Sequence, residues 1–321
     1  MVNNKLIESL RKQHYSIVGR HSAVQICRWN KKSLLDEEFC YKQKFYGIQS
    51  HKCCQMSPAI NFCQNLCLHC WRAIELTSGD KFSGKIDNPK EIIENCIKAQ
   101  RKQLSGFKGN SKVNMKKWKE AQEPENFAIS LIGEPTLYPK LGELIKELRR
   151  RRKTSFLVTN GLLPKVLKKL EKENALPTQL YISLNYPNEE VFRKLTQNKA
   201  KNSWKKFNDS LSYIKKLKGK TRRVLRMALI RDLNLGFEEE YAELIKKADA
   251  DFIECKGYVS VGFARQRLGY EKMPTIEEIR EFSGKLLKFL PGYKKLGEHE
   301  YSKIVLLGKD KKSMKIQREK I

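Results

Sequence analysis

The chain has 321 residues, of which 40% are apolar, so it is long enough to bury a large core without disulfides. Lys and Arg number 65 against 36 Asp and Glu, and the formal net charge of +29 favours a polyanionic partner such as a nucleic acid. No apolar run approaches the roughly 20 residues that cross a bilayer, and no apolar leader follows the N-terminus, which argues against membrane and secreted proteins. We therefore expect a cytoplasmic protein, in which nine cysteines indicate metal binding rather than disulfides.

Helix and strand patterns alternate from about residue 88 onward. Asn88 and Pro89 are typical of a helix start, and apolar residues at helical spacing follow them. The next predicted elements are strand 127–132, a helix around 141–148, strands 155–159 and 180–184, a helix around 207–217, strand 224–230, a helix around 241–248 and strand 252–254. Thr275 and Glu278 form a capping-box pattern that opens a last helix through Leu287.

With one more strand before Cys63, these elements make about six βα units, which predicts an α/β fold with a closed or partly closed parallel sheet. Ligands of such sheets bind at the carboxyl ends of the strands. We expect three segments. An N-terminal extension covers residues 1–57 and packs over the mouth of the barrel, the barrel covers residues 58–290, and a strand with a basic tail covers residues 291–321.

Three cysteines lie close together in one loop. Cys63, Cys67 and Cys70 have the spacing C-x3-C-x2-C, and thiolates are the usual ligands of iron–sulfur clusters. Three protein ligands on a four-iron cubane leave one iron open, and that iron can chelate the amino and carboxylate groups of S-adenosylmethionine. Structural zinc normally has four ligands, and His69 or Cys53 could supply the fourth, so the spacing alone leaves zinc open.

This loop resembles that of the radical-SAM superfamily, and residues at predicted strand ends share the resemblance. Gly133 and Glu134, in a Gly-Glu-Pro sequence, are similar to the motif that holds the methionine amino group. Asn160, in Thr-Asn-Gly, is similar to a turn of the family, and Ser183 and Asn185 look like ribose-contacting positions. Taken alone, these short sequences are also typical of ordinary strand-end turns.

The resemblance to the superfamily implies a fold and cofactors. The fold is a partial (β/α)6 TIM-like radical-SAM barrel, here with an N-terminal extension and a basic C-terminal tail. The cofactors are S-adenosyl-L-methionine and a [4Fe–4S] cluster on the three cysteines of the loop. The cluster passes an electron to the sulfonium, and the C5′–S bond breaks.

Within this superfamily, nearly the whole chain resembles the tRNA 4-demethylwyosine synthases of wybutosine biosynthesis. The similar segments are 40–48, 63–72 with its Cys-Trp-Arg ending, 181–188, 254–258, 265–268, 273–275 and 299–302. The resemblance implies that N1-methylguanosine, immediately 3′ of the anticodon in phenylalanine tRNA, loses a methyl hydrogen to the 5′-deoxyadenosyl radical. The carbon radical then joins pyruvate to form the tricyclic base. It further implies an external electron donor, because nothing here resembles a flavodoxin-like domain, and we expect a monomer.

The family also carries a second [4Fe–4S] cluster. Cys27, Cys40 and Cys53 are separated by 12 residues each, and the resemblance assigns that cluster to them. Without the resemblance, three scattered cysteines are as readily small buried apolar side chains. Lys42 matches a family lysine proposed to form a Schiff base with pyruvate, although Lys44 lies close by in a chain rich in solvated lysines.

Two other functions remain compatible with parts of the sequence. A radical-SAM enzyme could act on a different RNA, a peptide or a small molecule; a peptide or small-molecule substrate would use the cysteine loop but leaves the charge of +29 and Cys27, Cys40 and Cys53 unexplained. A non-enzymatic zinc-containing RNA-binding protein would explain charge and cysteines but not Gly133 and Glu134 at a strand end. Several basic runs, such as residues 149–153, indicate RNA contact without saying which cations touch phosphate.

Overall fold

The computed structural model describes residues 4–317, and one ten-stranded sheet forms its centre. The strands are β1 (Ser16–Val18), β2 (Ser22–Gln25), β3 (Cys53–Ser57), β4 (Asn126–Ile129), β5 (Thr154–Thr159), β6 (Gln179–Ser183), β7 (Arg222–Leu229), β8 (Phe252–Gly257), β9 (Lys294–His299) and β10 (Ile304–Gly308). Residues 1–3 and 318–321, which include the end of the predicted basic tail, lie outside the described residues.

Helices connect the parallel strands. The helices are α1 (Asn4–Lys12), α2 (Arg28–Leu34), α3 (Tyr41–Tyr46), α4 (Pro89–Ser105), α5 (Met115–Ala121), α6 (Leu141–Arg150), α7 (Pro164–Lys172), α8 (Glu189–Thr196), α9 (Ser203–Lys215), α10 (Glu238–Ala248) and α11 (Ile276–Lys288). Both predicted helix starts are confirmed. Asn88 accepts a hydrogen bond from the Lys90 amide at 2.9 Å, and Thr275 with Glu278 forms both arms of a capping box.

Strands β3 to β8 are parallel neighbours in chain order, which confirms the six predicted βα units. Antiparallel strands extend both edges, with β1 and β2 beside β3, and β10 and β9 beside β8. Within residues 4–317 no pairing joins β1 to β9, so the sheet is a partial barrel. The first parallel strand comes from residues 53–57, inside the segment expected to be an extension.

The two faces of the sheet carry different layers. Leu157, Ile182 and Leu225 point to the face that the connecting helices cover, in one continuous apolar core. The alternate residues Phe156 and Tyr181 point to the inner face of the barrel, where they pack with α3. Side chains of opposite parity along each strand therefore separate the structural core from the inner chamber.

The N-terminal segment lies only in part at the mouth of the barrel, where it was predicted: Leu6 and Leu10 of α1 pack with Leu131 beyond β4, whereas α3 lies elsewhere. Tyr46 of α3 packs against Phe252 at a ring distance of 5.8 Å and beneath Arg222 at 5.5 Å. These two residues begin β8 and β7, so α3 fills the inner face near the amino ends of the strands. The aromatic residues of α3 need a buried apolar surface, which the chamber supplies. Across residues 4–317, no helix combines the length and apolar character needed to span a membrane.

Candidate functional site

The cysteine loop leaves the carboxyl end of β3 and is held by its backbone. The Cys63 amide donates to the Gly79 carbonyl at 2.9 Å, and the Leu66 amide donates to the Thr196 carbonyl at 2.8 Å. These bonds tie the loop to the following turn on one side and to α8 on the other. The three thiols are partly exposed at the edge of the sheet where ligands of parallel sheets bind.

Arg72 is a buried cation beside these thiols. Its guanidinium donates to Asn61 at 3.0 Å and to the Asn65 carbonyl at 2.8 Å. Burial raises the pKa of the Cys63 thiol to about 11, and Arg72 opposes part of that rise. Thiolates at this position therefore need further positive charge, which bound iron provides. Sequence reasoning missed Arg72 as a site residue, although it follows the last cysteine by two positions.

Arg267 holds the same loop from the opposite side of the barrel. Its side chain donates to the Leu68 carbonyl at 3.1 Å and to the Arg72 carbonyl at 3.2 Å, and it also bonds the Cys70 carbonyl. One guanidinium thus orients three carbonyls of a loop that has no regular secondary structure. The sequence signalled this residue only as part of segment 265–268.

Gly133 and Glu134 lie directly against the start of the loop. Gly133 has φ +73°, and a Cβ built on it would lie 2.1 Å from the Ala59 carbonyl oxygen, so only glycine fits. The Glu134 amide donates to the Phe62 carbonyl at 2.7 Å. This strand end is therefore a backbone support for the residues that precede Cys63. The predicted strand through residue 132 is wrong in its end, because β4 stops at Ile129.

The Glu134 carboxylate is buried and firmly oriented. One oxygen accepts from the hydroxyls of Thr136 at 2.5 Å and Thr159 at 2.6 Å. Among residues 4–317, the other oxygen accepts only from the backbone amide of Asn160, at 2.8 Å, which leaves it able to receive one more donor. Burial raises the pKa of Glu134 although these hydrogen bonds oppose the rise. An ammonium group placed beside the second oxygen would favour the carboxylate form.

Asn160 and Asn185 connect neighbouring strand ends to the loop. The side-chain amide nitrogen of Asn160 donates to the side-chain oxygen of Gln64 at 3.0 Å and lies 3.9 Å from the Cys63 sulfur. The Asn185 amide nitrogen lies 3.2 Å from His69 Nε2, and its oxygen accepts from the Ala228 amide at 2.8 Å. Glu134, Asn160 and Asn185 therefore converge on one loop, whereas Ser183 ends β6 opposite Arg226 of β7.

Within the described part of the chain, four buried nitrogen atoms around the cysteines have no hydrogen-bond partner. They are Asn61 Nδ2, Gln64 Nε2, Asn65 Nδ2 and His69 Nδ1. Burial, followed by the charge of Arg267, lowers the pKa of His69 to about 4, so its ring is neutral at pH 7. Unpaired nitrogen donors fit an anionic group such as a thiolate-bound iron–sulfur cluster.

The described residues contain no group of three His, Cys, Asp or Glu side chains arranged for a single metal ion. Ligands of a cubane sit on separate irons and are farther apart than ligands of one ion, so the cysteine loop remains compatible with a cluster.

Cys27, Cys40 and Cys53 come together although they lie on three elements. Cys27 precedes α2 and Cys40 precedes α3, each as the N-cap residue, whereas Cys53 begins β3. Burial raises the pKa of Cys40 to about 11, with a contribution from Cys27. Burial also raises the pKa of Cys53, with contributions from Cys27 and Cys40. The thiols thus form a second set on the inner face of the sheet.

Lys42 lies beside this second set and is only 7% exposed. Its Nζ is 4.8 Å from the centre of the Phe156 ring and 4.9 Å from that of Tyr181. Its charge opposes the rise in pKa of all three thiols of the set. Lys44 is exposed to solvent, so the helix presents Lys42 to the chamber and Lys44 to the outside.

One carboxylate fixes the helix that carries Lys42. Glu254, on the inner face of β8, is fully buried and accepts from the hydroxyls of Tyr41 at 2.9 Å and Tyr46 at 2.7 Å. The nearest contact of its carboxylate with the Arg226 guanidinium is 3.9 Å. Sequence reasoning quoted Glu254 only within a similar segment, because nothing local reveals a contact with residues more than 200 positions away.

Comparisons with known proteins agree over nearly the full length. The chain matches the radical SAM superfamily over residues 57–248 and wyosine base formation over residues 247–309. It is 47% identical over 300 residues to the S-adenosyl-L-methionine-dependent tRNA 4-demethylwyosine synthase of Pyrococcus abyssi, covering 94% of this chain and 87% of that protein.

Solved structures give the same result. The structure of TYW1 with a lysine-pyruvate adduct bound is 36% identical, with a TM-score of 0.86, and the match covers 99% of both chains. The crystal structure of archaeal TYW1 is 33% identical, with a TM-score of 0.78 and the same coverage.

Proposed function

The chain belongs to the family of S-adenosyl-L-methionine-dependent tRNA 4-demethylwyosine synthases, and we propose that it condenses N1-methylguanosine of phenylalanine tRNA with pyruvate. It is a radical-SAM enzyme of wyosine base formation that acts on tRNA and uses S-adenosyl-L-methionine with a [4Fe–4S] cluster. This membership overturns the zinc-containing RNA-binding alternative and disfavours peptide or small-molecule substrates. The modified guanosine would lie 3′ of the anticodon, in the cytoplasm, and the enzyme would act as a monomer with an external electron donor.

The proposed first cluster is held by Cys63, Cys67 and Cys70. When bound, the cluster and S-adenosyl-L-methionine supply an electron and a 5′-deoxyadenosyl radical. Glu134 offers its free carboxylate lone pair to the methionine amino group, and Gly133 permits the close approach of strand end and loop. Three further cofactor contacts are proposed at strand ends. Asn160 follows β5, Ser183 is the last residue of β6, and Asn185 lies two residues beyond it.

The proposed second cluster is held by Cys27, Cys40 and Cys53, and Lys42 is the proposed catalytic residue beside it. A neutral Lys42 amine would attack the carbonyl carbon of pyruvate; with uptake of one proton from solvent, the carbonyl oxygen would leave as water and a cationic iminium would remain. The iminium is a better electron acceptor than the ketone. The observation that carries this proposal is the position of Lys42, buried on the inner face beside three thiols.

The experiment is product analysis with the anaerobically reconstituted enzyme. We would add S-adenosyl-L-methionine, pyruvate, a reductant and phenylalanine tRNA bearing N1-methylguanosine, then digest the tRNA and weigh its nucleosides. We expect a tricyclic nucleoside that is absent with Cys67→Ala and with Lys42→Ala. The matched controls are Cys96→Ala, at a buried core cysteine, and Lys44→Ala, two residues from Lys42 but exposed.

Two results would separate the parts of the proposal. Release of 5′-deoxyadenosine without a change in guanosine mass would leave the radical chemistry standing and refute the substrate. Product formation at the normal rate by Lys42→Ala would refute the iminium and leave the condensation standing. If a sample with both clusters intact formed neither 5′-deoxyadenosine nor the tricyclic nucleoside, the synthase assignment would be refuted.

A further inference from the structure

Arg226 lies on the inner face of the sheet, near Tyr41 of α3 and Glu254 of β8. In the sheet register it is opposite Ser183 of β6 on one side and Glu254 of β8 on the other. Its side chain is 30% exposed, whereas the Glu254 side chain is fully buried. The guanidinium therefore reaches the open part of the chamber that the surrounding strands enclose.

The hydrogen-bonding capacity of Arg226 is unused. Its nearest carboxylate oxygen, on Glu254, is 3.9 Å away, and both oxygens of Glu254 already accept from tyrosine hydroxyls. Among residues 4–317, no acceptor lies within hydrogen-bonding distance of the Arg226 guanidinium. Arg222, four residues earlier on the same face, instead bonds Gln179 and two backbone carbonyls at 2.5 to 2.8 Å. Arg226 thus has free donors for a ligand.

The surroundings of Arg226 favour an anion. The chamber also holds the side-chain amines of Lys42 and Lys256, and the Glu254 carboxylate lies near Lys256. Lys256 donates to the Ser302 carbonyl at 2.7 Å, while the buried Ser302 hydroxyl has no partner. A planar carboxylate matches the fork of a guanidinium, which can bind it through two parallel hydrogen bonds.

Glu254 also links Arg226 to Lys42. The carboxylate bonds Tyr41, the residue before Lys42, and Tyr46, at the other end of the same helix. The helix that carries the amine and the side chain that carries the guanidinium therefore both contact one buried group. In a 2-oxo acid, the carbonyl carbon that an amine attacks is bonded directly to the carboxylate carbon.

We propose that Arg226 binds the carboxylate of the 2-oxo acid whose carbonyl carbon reacts with Lys42. This assignment rests on the proposed function, since it takes pyruvate as the substrate and Lys42 as the amine. Arg226 sets the specificity for a charged 2-oxo acid over an uncharged ketone. The buried Glu254 acts through its neighbours as a positioning residue.

Borohydride trapping tests the assignment without relying on turnover. The anaerobically reconstituted enzyme is incubated with pyruvate and sodium cyanoborohydride, which reduces an iminium to a stable amine. The labelled fraction of the peptide containing Lys42 is then measured by mass spectrometry against pyruvate concentration. Methyl pyruvate, which keeps the ketone but lacks the carboxylate charge, is the second substrate. The variants are Arg226→Gln and, as the matched control, Arg222→Gln.

For Arg226→Gln we expect the half-saturating pyruvate concentration to rise about 10- to 100-fold, as for loss of a charge-assisted hydrogen bond. Labelling by methyl pyruvate should be unchanged in the same variant, and Arg222→Gln should label like the native enzyme with both compounds. An unchanged pyruvate dependence, or an equal loss with methyl pyruvate, would refute the assignment. Weaker tRNA binding by Arg226→Gln with normal pyruvate labelling would also refute it, by identifying the anion as phosphate.

The same experiment distinguishes this failure from failure of the proposed function. If pyruvate leaves Lys42 unlabelled in the native enzyme, the role of Lys42 is wrong. If Lys42 is labelled and only the Arg226 effect is missing, the role of Lys42 stands.

Discussion

Replacing Gly133 with alanine would show how the cysteine loop is supported. The residue has φ +73°, and the added Cβ would lie 2.1 Å from the Ala59 carbonyl oxygen and 3.0 Å from that of Phe62. Both obstacles are backbone atoms of the segment that leads into Cys63, so no flexible side chain can move away. Relief of the contact must displace this segment and, with it, the first ligand of the proposed cluster.

Gly219 offers a matched control. Its φ is +78°, but an added Cβ would meet nothing within 4 Å. The left-handed conformation costs alanine about 1–2 kcal/mol, and Gly219→Ala should lose that amount of unfolding free energy alone. Gly133→Ala adds overpacking, for which about 1–3 kcal/mol is typical, so we expect a loss of about 2–5 kcal/mol.

The measurements are denaturant unfolding and iron content after anaerobic reconstitution. Gly133→Ala should bind less iron and release less 5′-deoxyadenosine, whereas Gly219→Ala should match the native enzyme in both. Equal destabilisation of the two variants, with normal iron content in each, would show that the close approach at Gly133 does not support the loop.

Three further predictions concern the redox site, stability and tRNA. Tyr186 lies beside Cys67; a hydrogen bond from its hydroxyl to the cluster ligand should stabilise the reduced cluster, so Tyr186→Phe should lower the reduction potential by about 40 mV, as for one bond of about 1 kcal/mol. The bond to Arg231 lowers the pKa of Glu278 to about 2, so its stabilisation is complete above the unfolded pKa of about 4.3 and is lost as pH falls toward 2. Glu278→Gln should therefore cost about 1–2 kcal/mol at pH 7, and less at pH 3. The affinity for tRNA should fall at least about tenfold between 50 and 200 mM salt in a gel-shift assay.

For each of these three predictions, a specific result would contradict it. For the cluster, a potential unchanged in Tyr186→Phe, measured by spectroscopic redox titration, would exclude the hydrogen bond as a tuning contact. For stability, the difference in unfolding free energy between the native protein and Glu278→Gln, measured by denaturant unfolding, should shrink as pH falls. A difference that is the same at all pH values would rule out the ion pair as its cause. Salt-independent tRNA binding would mean that the net charge of +29 does not contribute to the complex.

The barrel could be predicted because its strands follow the simplest sequence rule. Strands such as β5 and β6 are buried on both faces and alternate along the chain with amphipathic helices. The antiparallel edge strands β1 and β2 were not predicted, since three- and four-residue strands are too short to show a period. The docking of α3 inside the chamber was not predicted, because this packing depends on residues from distant strands.

The candidate site was predictable in its loops and not in its charged supports. Cysteines at fixed spacing and glycine at a strand end carry a local signal. Arg72, Arg267 and Arg226 do not, because each is one of 65 cations in the sequence. Their meaning comes from burial and from partners such as Glu254, which only the tertiary structure brings within reach.

The two cysteine sets differ in how much of the chain must fold before their three thiols come together. Cys63, Cys67 and Cys70 belong to one loop of eight residues, whereas Cys27, Cys40 and Cys53 precede or begin three different elements. Bringing Cys27, Cys40 and Cys53 together closes longer chain segments and costs more conformational entropy. The arrangement of these three thiols also depends on α3 remaining docked through Glu254. The second set is therefore a reporter of tertiary docking. Partial unfolding of the N-terminal segment would scatter its thiols while leaving those of the first loop together.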